Sequence, residues 1–558
     1  MDMPAGKTHI LCIDALPYFL LRQFLAQGEL PNFQRLEKLG ASAQGLVPPG
    51  PDATTPPAHA ALLCGCNAVE HGIYSFEEPL VSNGIVSPWE KTSGFHAGRL
   101  KAEPLWVGFL KAGKKVALLH FPLSTPIEPL TTSKKYGRDF SDRLFIIEGY
   151  GRRLTPEIVR KDVNTDDNFR LKLSDRGKIL LPRRAPKTME PAVFNDRQAG
   201  LWRLRFPAEI SGEPDIHFLT PFSALSSHPP ELGLAYLNQV GPFPASGATY
   251  SYGKDRLGQR IYKGGSGIAE KRLAQSLDLL ADHVFSAIKF MLQKVDPEAG
   301  FYYFNGLDLC LHLWLTYIEP GFAKEHPEIF NALWPVLCRL MNWADKMVGL
   351  LLESLRPEDL LLVFSDHGMA PIEAIFYPNQ VLAHAGFLSW DEKKQLPDLS
   401  QSRAVYNRSN AGYIVLNLKS RGGIVPDQDA DMLTGKVAEA FAPFQGKLLD
   451  KIELTSRNPE IPRLGEIYLM PRFGITLQEE VEGKILDPDF RGGQHHYWPD
   501  SEQMKAILYF YGASVPAGIK LGVRSHLEVA STVAALAGIE PLDKASLGPI
   551  QFQQVANG

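Results

Sequence analysis

Short apolar runs ending on a polar residue alternate along this chain with stretches of helical spacing. HILCIDALP, residues 9–17, carries Asp14 at its end, as a buried parallel strand delivers a residue to the carboxyl edge of a sheet. Helical spacing follows over 18–25 and 32–39. KKVALLH (114–120) predicts a second buried strand, preceded by a helix at about 105–111. LLLVF (360–364) predicts a third, running into Ser365-Asp366-His367-Gly368, and MKAILYFY (504–511) a fourth. Apolar stripes at 268–295 and 324–355 predict two long helices that return to the core. The alternation predicts an α/β fold: a doubly wound, mostly parallel sheet with helices on both faces.

Two stretches differ in character. Residues 126–280 are rich in Gly, Pro and Arg with short alternating runs such as LWRLRFPAEI, which predicts a β-rich insertion. Residues 376–490 mix a strand (YIVLNL) with a helix (MLTGKVAEAF), which predicts an α+β cap. The catalytic core is then expected in three parts, 1–125, 281–375 and 491–558. A length of 558 residues suits two to four such units. With 44% hydrophobic and 22% charged residues, wholesale disorder, a collagen-like chain and a disulfide miniprotein are excluded. A net charge of −4 gives no general drive towards a nucleic-acid polymer or an anionic membrane. The apolar runs 360–364 and 413–418 are far shorter than the roughly 18 residues of a membrane span. Five cysteines make no paired framework, and the first strand starts without a leader-like apolar stretch, so a reducing, cytoplasmic location is expected.

The candidate chemistry lies in four separated segments: Asp14; Asp308 and His312 in NGLDLCLHLW; Asp366-His367 in VFSDHGM; and His495 in RGGQHHYW. Together they offer three carboxylates and three imidazoles and no thiol, a set suited to two divalent ions such as Zn²⁺ or Mn²⁺. The spacing Asp308-x-x-x-His312 sets both side chains on one helical face. The candidate nucleophile is Thr55 in PGPDATTPPAHAALLCG. Pro56 and Pro57 suit the first turn of a helix, so Thr55 sits at or just before its N-terminus, where free N–H groups and the helix dipole favour an anion. Thr54 and Thr55 have equal potential as plain helix caps. His59 and His71 fit structural roles better than ligation.

These motifs, in this order, resemble the alkaline phosphatase superfamily, in particular the nucleotide pyrophosphatase/phosphodiesterases and the related predicted phosphohydrolase/phosphomutase group. GELPNFQRLEKLGA is similar to the first helix of that family and its Leu-Pro-Asn turn, and TPPAHAALLCGCNAVEHGIYSF to its nucleophile helix and His-Gly-Ile signature. The resemblance implies a phosphatase-like core with the two inserted regions. It also implies that Asp308, His312 and His495 hold one metal, that Asp14, Asp366 and His367 hold the other, and that Thr55 is phosphorylated in turnover. The implied substrate is small and phosphorylated, such as a nucleotide derivative.

Departures from the family shape the remaining expectations. Diesterases often carry Asn five residues after the His of His-Gly-Ile; here that residue is Phe76. The closing motif reads Gly493-Gln494-His495-His496, with His495 favoured because Met504 then falls in register, and His496 the alternative. Phe76 and Tyr497 are candidate substrate contacts, with Trp498 beside the latter. The reading is a metal-dependent phosphohydrolase for a phosphodiester or pyrophosphate. A phosphomonoesterase, phosphonate hydrolase or phosphomutase comes second, and a metal-bound, catalytically idle binding protein is the rival of another class.

Overall fold

The computed structural model describes residues 6–48, 53–150, 225–241, 243–244, 247–407, 412–458, 464–481, 483–497, 499 and 501–552, with six backbone strands between 157 and 221. Its centre is a nine-stranded sheet. In chain order the strands are β1 (Thr8–Ile13), β2 (Ala41–Leu46), β3 (Val116–Leu119), β4 (Leu144–Glu148), β5 (Ser226–His228), β6 (Ala299–Phe304), β7 (Leu360–Phe364), β8 (Ala506–Tyr511) and β9 (Ile519–Ser525). Their spatial order is β5-β4-β3-β6-β1-β7-β8-β2-β9, parallel except for β5 and β8.

Strands β1, β6 and β7 are buried along their whole length, which is why they read as unbroken apolar runs. The helices that matter for the site are α1 (Tyr18–Ala26), α2 (Pro31–Leu39), α3 (Thr55–Cys64), α4 (Leu105–Lys111), α5 (Ile268–Phe290), α6 (Gly306–Ile318), α7 (Pro327–Ser354) and α8 (Val529–Ala537). Alternation along the strands sends Leu11, Ile13, Tyr302, Phe304 and Val363 into one core with α1, α2, α5, α6 and α7. It sends Ile10, Cys12, Phe301, Tyr303, Leu362 and Phe364 into the other, against α3, α4 and α8. The helices thus cover both faces, as the alternating pattern predicts.

Much of the β-rich segment expected at 126–280 lies outside the described residues, as does Trp498. Within it, Glu157–Lys161, Val193–Asp196, Leu201–Phe206 and Asp215–Pro221 form an antiparallel sheet. The same stretch also lends β4 and β5 to the central sheet. Between 376 and 490, Ala404–Asn407, Gly412–Leu416, Ile467–Pro471 and Leu449–Leu454 form a sheet with its own core, which includes Val437 and Phe441 of the helix Ala430–Phe441. A hairpin of Glu77–Ser82 and Ile85–Ser93 reaches this unit: Asn407 Nδ2 donates to the Pro88 carbonyl at 3.0 Å, and Trp89 joins its core.

The turn before α2 is held from a distance. Leu30 lies in the left-handed region at φ 61°, and no side chain of its own segment caps the helix. Asp345 of α7 does so instead, accepting from Phe33 N at 2.9 Å and from Asn32 Nδ2 at 2.8 Å. Asp345 is buried, so its loss strands these donors away from water. Asp345→Ala is expected to lower the unfolding free energy by about 2 kcal/mol. Asp345→Asn, which keeps one acceptor, should restore part of it. Urea unfolding of the three proteins checks this.

Candidate metal centre and nucleophile

Because β1, β6 and β7 are adjacent and parallel, their carboxyl ends lie side by side, and the segments leaving them converge. β1 delivers Asp14, whose N–H donates to the Phe304 carbonyl at 2.9 Å. β6 runs through Asn305 into α6, which carries Asp308 and His312 one turn apart. β7 leads to Asp366 and His367. His495 arrives from the far end of the chain, steered by a short antiparallel ladder between Ala370–Ile372 and Gly492–Gln494.

Two clusters result, Asp308/His312/His495 and Asp14/Asp366/His367, each with its ligand atoms within 4.8 Å of one another. His312 Nε2 lies 3.1 Å from Asp308 Oδ1, and His495 Nε2 4.0 Å from the same atom. His367 Nε2 lies 3.3 Å from Asp366 Oδ2 and 3.5 Å from Asp14 Oδ1. The rings of His367 and His495 stack at 3.7 Å, so the clusters are contiguous. His496 belongs to neither.

The tautomers are set from behind. His312 Nδ1–H donates to the Gly493 carbonyl at 2.8 Å, His495 Nδ1–H to Ala53 at 2.9 Å, and His367 Nδ1–H to Gly368 at 3.0 Å. Each Nε2 therefore turns a lone pair towards the carboxylates. Asp14 Oδ1, Asp308 Oδ1 and Asp366 Oδ2 are buried without a hydrogen-bond partner. Acceptors facing acceptors in a buried space fit a cation, and the mixed nitrogen and oxygen donors fit a divalent one. Burial, then the carboxylates of Asp366 and Asp308, push the Asp14 carboxyl well above its ordinary range. Burial, then the neighbouring His367 and His312, hold His495 well below the usual imidazole value, so it is neutral.

Thr55 is the first residue of α3 and is buried, with Oγ1 3.2 Å from His367 Nε2. Thr54 occupies the cap position but its hydroxyl makes no cap bond. The N-terminus of α3 is poorer in donors than its sequence suggests. Pro56 and Pro57 have no N–H, and that of Ala58 goes to the Thr54 carbonyl at 2.9 Å. At most the Thr55 N–H is left, together with the dipole. His59, one turn on, donates Nδ1–H to the Thr55 carbonyl at 2.8 Å and lies 3.2 Å from Asp366 Oδ2.

Phe76 is half-buried and meets Phe95 edge-to-face at 5.0 Å. Gly94 links this pair to α3: its N–H donates to the Phe76 carbonyl, and a Cβ there would come within 3.2 Å of the Pro56 Cβ. Tyr497 corrects the expectation that it contacts substrate. It is 2% exposed, its ring lies against Phe473, and its hydroxyl donates to the Ile475 carbonyl at 2.9 Å. A residue not singled out from the sequence is Tyr303, whose hydroxyl donates to Asp14 Oδ2. The signal for it is a polar-tipped aromatic inside the apolar run AGFYYF.

The nine-stranded sheet with helices on both faces is an alkaline phosphatase-like α/β fold. The profile of the type I phosphodiesterase/nucleotide pyrophosphatase family matches residues 8–243 and 244–498, and the chain belongs to that family of hydrolases acting on phosphoric ester bonds. Comparison with curated protein sequences gives no match. Among solved structures, murine ectonucleotide pyrophosphatase/phosphodiesterase 5 is similar at 13% identity over 96% of each chain, with a TM-score of 0.51. An inactive variant of that murine protein in complex with AMP is similar at 12% identity over 96% of each chain, with a TM-score of 0.50. At these identities the likeness is one of fold.

The crowding of Asp14 has a measurable sign. In metal-free protein its folded-state affinity for a proton exceeds the unfolded one. Its contribution to stability is therefore fully present below about pH 4 and is lost as the pH rises through the raised value. Chelator-treated Asp14→Asn is expected to unfold at a higher urea concentration than chelator-treated wild type at pH 7. Added Zn²⁺ should reverse the order, because the wild type gains more from binding.

Proposed function

We propose that the protein is a metal-dependent phosphohydrolase that cleaves a phosphodiester or pyrophosphate bond in a small nucleotide derivative through a phosphothreonine on Thr55. The observation that carries this reading is the set of three inward imidazole lone pairs and three unpartnered carboxylate oxygens gathered beside the Thr55 hydroxyl. Asp308, His312 and His495 would hold one divalent cation, and Asp14, Asp366 and His367, with Thr55, the other; Zn²⁺ suits these donors best, Mn²⁺ second. Such ions, when bound, neutralise phosphoryl charge and lower the pKa of a hydroxyl.

The residues of the chain do the rest. α3 holds Thr55 Oγ1 in one orientation, because its first turn is preset by two prolines and every one of its residues is buried. Thr55 Oγ1 attacks phosphorus, the bond from phosphorus to the leaving oxygen breaks, and that oxygen takes up a proton. Water then attacks the phosphothreonine, the bond from phosphorus to Oγ1 breaks, and Thr55 regains its proton. The Tyr303 hydroxyl keeps Asp14 in position, and the Ala15 N–H keeps Asp366 in position, during both steps. AMP in the complex of the inactive murine variant supports a nucleotide as the substrate class. The aromatic Phe76 supports a monoester as the second reading. Rates on bis(p-nitrophenyl) phosphate and p-nitrophenyl phosphate decide between the two, the diester being the expected faster substrate.

Thr55→Ala is expected to lose at least about three powers of ten in turnover, or roughly 4 kcal/mol of barrier. Thr54→Ala should stay within a few fold, since its hydroxyl makes no cap bond to lose. Mass spectrometry of protein quenched in turnover should find phosphate on the peptide containing Thr55 and none in Thr55→Ala. Full activity in Thr55→Ala rejects the covalent route.

A further inference from the structure

Asn305 stands at the cap position of α6 but does not cap it, although Asn is among the residues best suited to that task. Its Oδ1 accepts instead from the Tyr150 hydroxyl at 2.6 Å. In that pairing the amide oxygen is the acceptor, and Nδ2 keeps two N–H groups with no acceptor among the described residues. The residue is only 8% exposed.

Its position gives that donor a target. Asn305 directly follows Phe304, whose carbonyl takes the Asp14 N–H, and it precedes Asp308 by one helical turn. Its bond to Tyr150, whose ring packs on Tyr303, sets it on the side of Tyr303, which faces α3, bonds Asp14 and lies 5.6 Å from His59. Tyr150 is itself fixed. Its ring lies 5.7 Å from Tyr303 and 4.6 Å from Phe243, and its backbone N–H donates to the buried Glu148 carboxyl. The nucleophile helix, short of N–H groups, leaves phosphoryl oxygens in need of such a donor.

We propose that Asn305 Nδ2 donates to a non-bridging phosphoryl oxygen of the substrate under attack, and that Tyr150 is a positioning residue that sets the amide's orientation. This rests on Thr55 as the nucleophile. Asn305→Ala is expected to lower kcat about 100-fold, the usual cost of one oxyanion donor, with KM within about threefold. Inhibition by orthovanadate should weaken by a similar factor, while bound zinc per chain and the urea midpoint stay at wild-type values. Tyr150→Phe should cost about 10-fold alone and under about twofold in the Asn305→Ala background, since its effect passes through the amide.

Asn305→Ala turning over within about threefold of wild type overturns the proposal, as does an equal loss from Tyr150→Phe in both backgrounds. If Asn305→Ala does not fold, Tyr150→Phe decides alone, and activity within about twofold of wild type rejects the assignment. Thr55→Ala retaining its rate is a different result, which removes the underlying reading rather than the role of Asn305.

Discussion

Three imidazole lone pairs and three carboxylate oxygens face one another, buried around Asp14, Asp366 and His367 and partly open at Asp308 and His312, and no described side chain neutralises them. In a medium of low dielectric such an arrangement is unfavourable, so the fold has to hold each group from behind. It does so with backbone: the carbonyls of Ala53, Gly368 and Gly493 take the outer N–H of His495, His367 and His312. Asp14 is tied by Tyr303, and its segment by the bond from its own N–H to Phe304. The anchors come from segments far apart in sequence, so the centre exists only when the whole sheet is assembled.

The sheet order supplies the assembly. β1 lies between β6 and β7, in register along its length, with Thr8 opposite both Ala299 and Leu360. A slip of one residue would send Asp14 and Tyr303 to opposite faces and open the cluster. The last ligand is brought in by close backbone contact. Gly492 and Gly493 lie where a Cβ would meet the His312 and Leu311 carbonyls at 2.5 and 2.4 Å, and a Cβ on Gly368 would meet the Gln503 carbonyl at 2.1 Å. The glycines around His495 and His367 are thus packing requirements of α6 and of the segment before β8.

What could be read from the sequence follows from these constraints. β1, β7 and β8 were legible because strands buried on both faces are apolar throughout, and β1 and β7 give way abruptly to Asp14 and Ser365. Asp308 and His312 were legible because a spacing of four joins them on one helical face. Adjacency to a ligand misled for Tyr497, because an irregular segment does not fix side-chain direction, and its acceptor, Ile475, belongs to the cap region. The hairpin at 77–93 announces itself only through Asn83-Gly84, both at positive φ, as its tight turn requires. Asn305 carries no signal of its own: a helix cap is what the local sequence favours, and Tyr150, 155 residues away, redirects it.

The start of α3 shows how one local choice constrains a distant one. Two prolines after Thr55 preset the backbone and hold the hydroxyl beside His367, but they remove the N–H groups that a helix N-terminus ordinarily offers an anion. A rigid nucleophile is obtained at the cost of charge stabilisation from the same element. On the proposed route, opposing charge would come from the bound cations, and the Asn305 amide at the β6–α6 junction would add the missing hydrogen-bond donor. The proposed nucleophile and the proposed amide donor thus sit on α3 and on the β6–α6 junction, and what relates the two is the packing of α3 on the sheet: His59 is clasped edge-on by Tyr303 of β6, Phe364 of β7 and Phe121. That contact, apolar on the ring edges and hydrogen-bonded through Nδ1 to Thr55, couples the position of the nucleophile to the strands that carry the ligands.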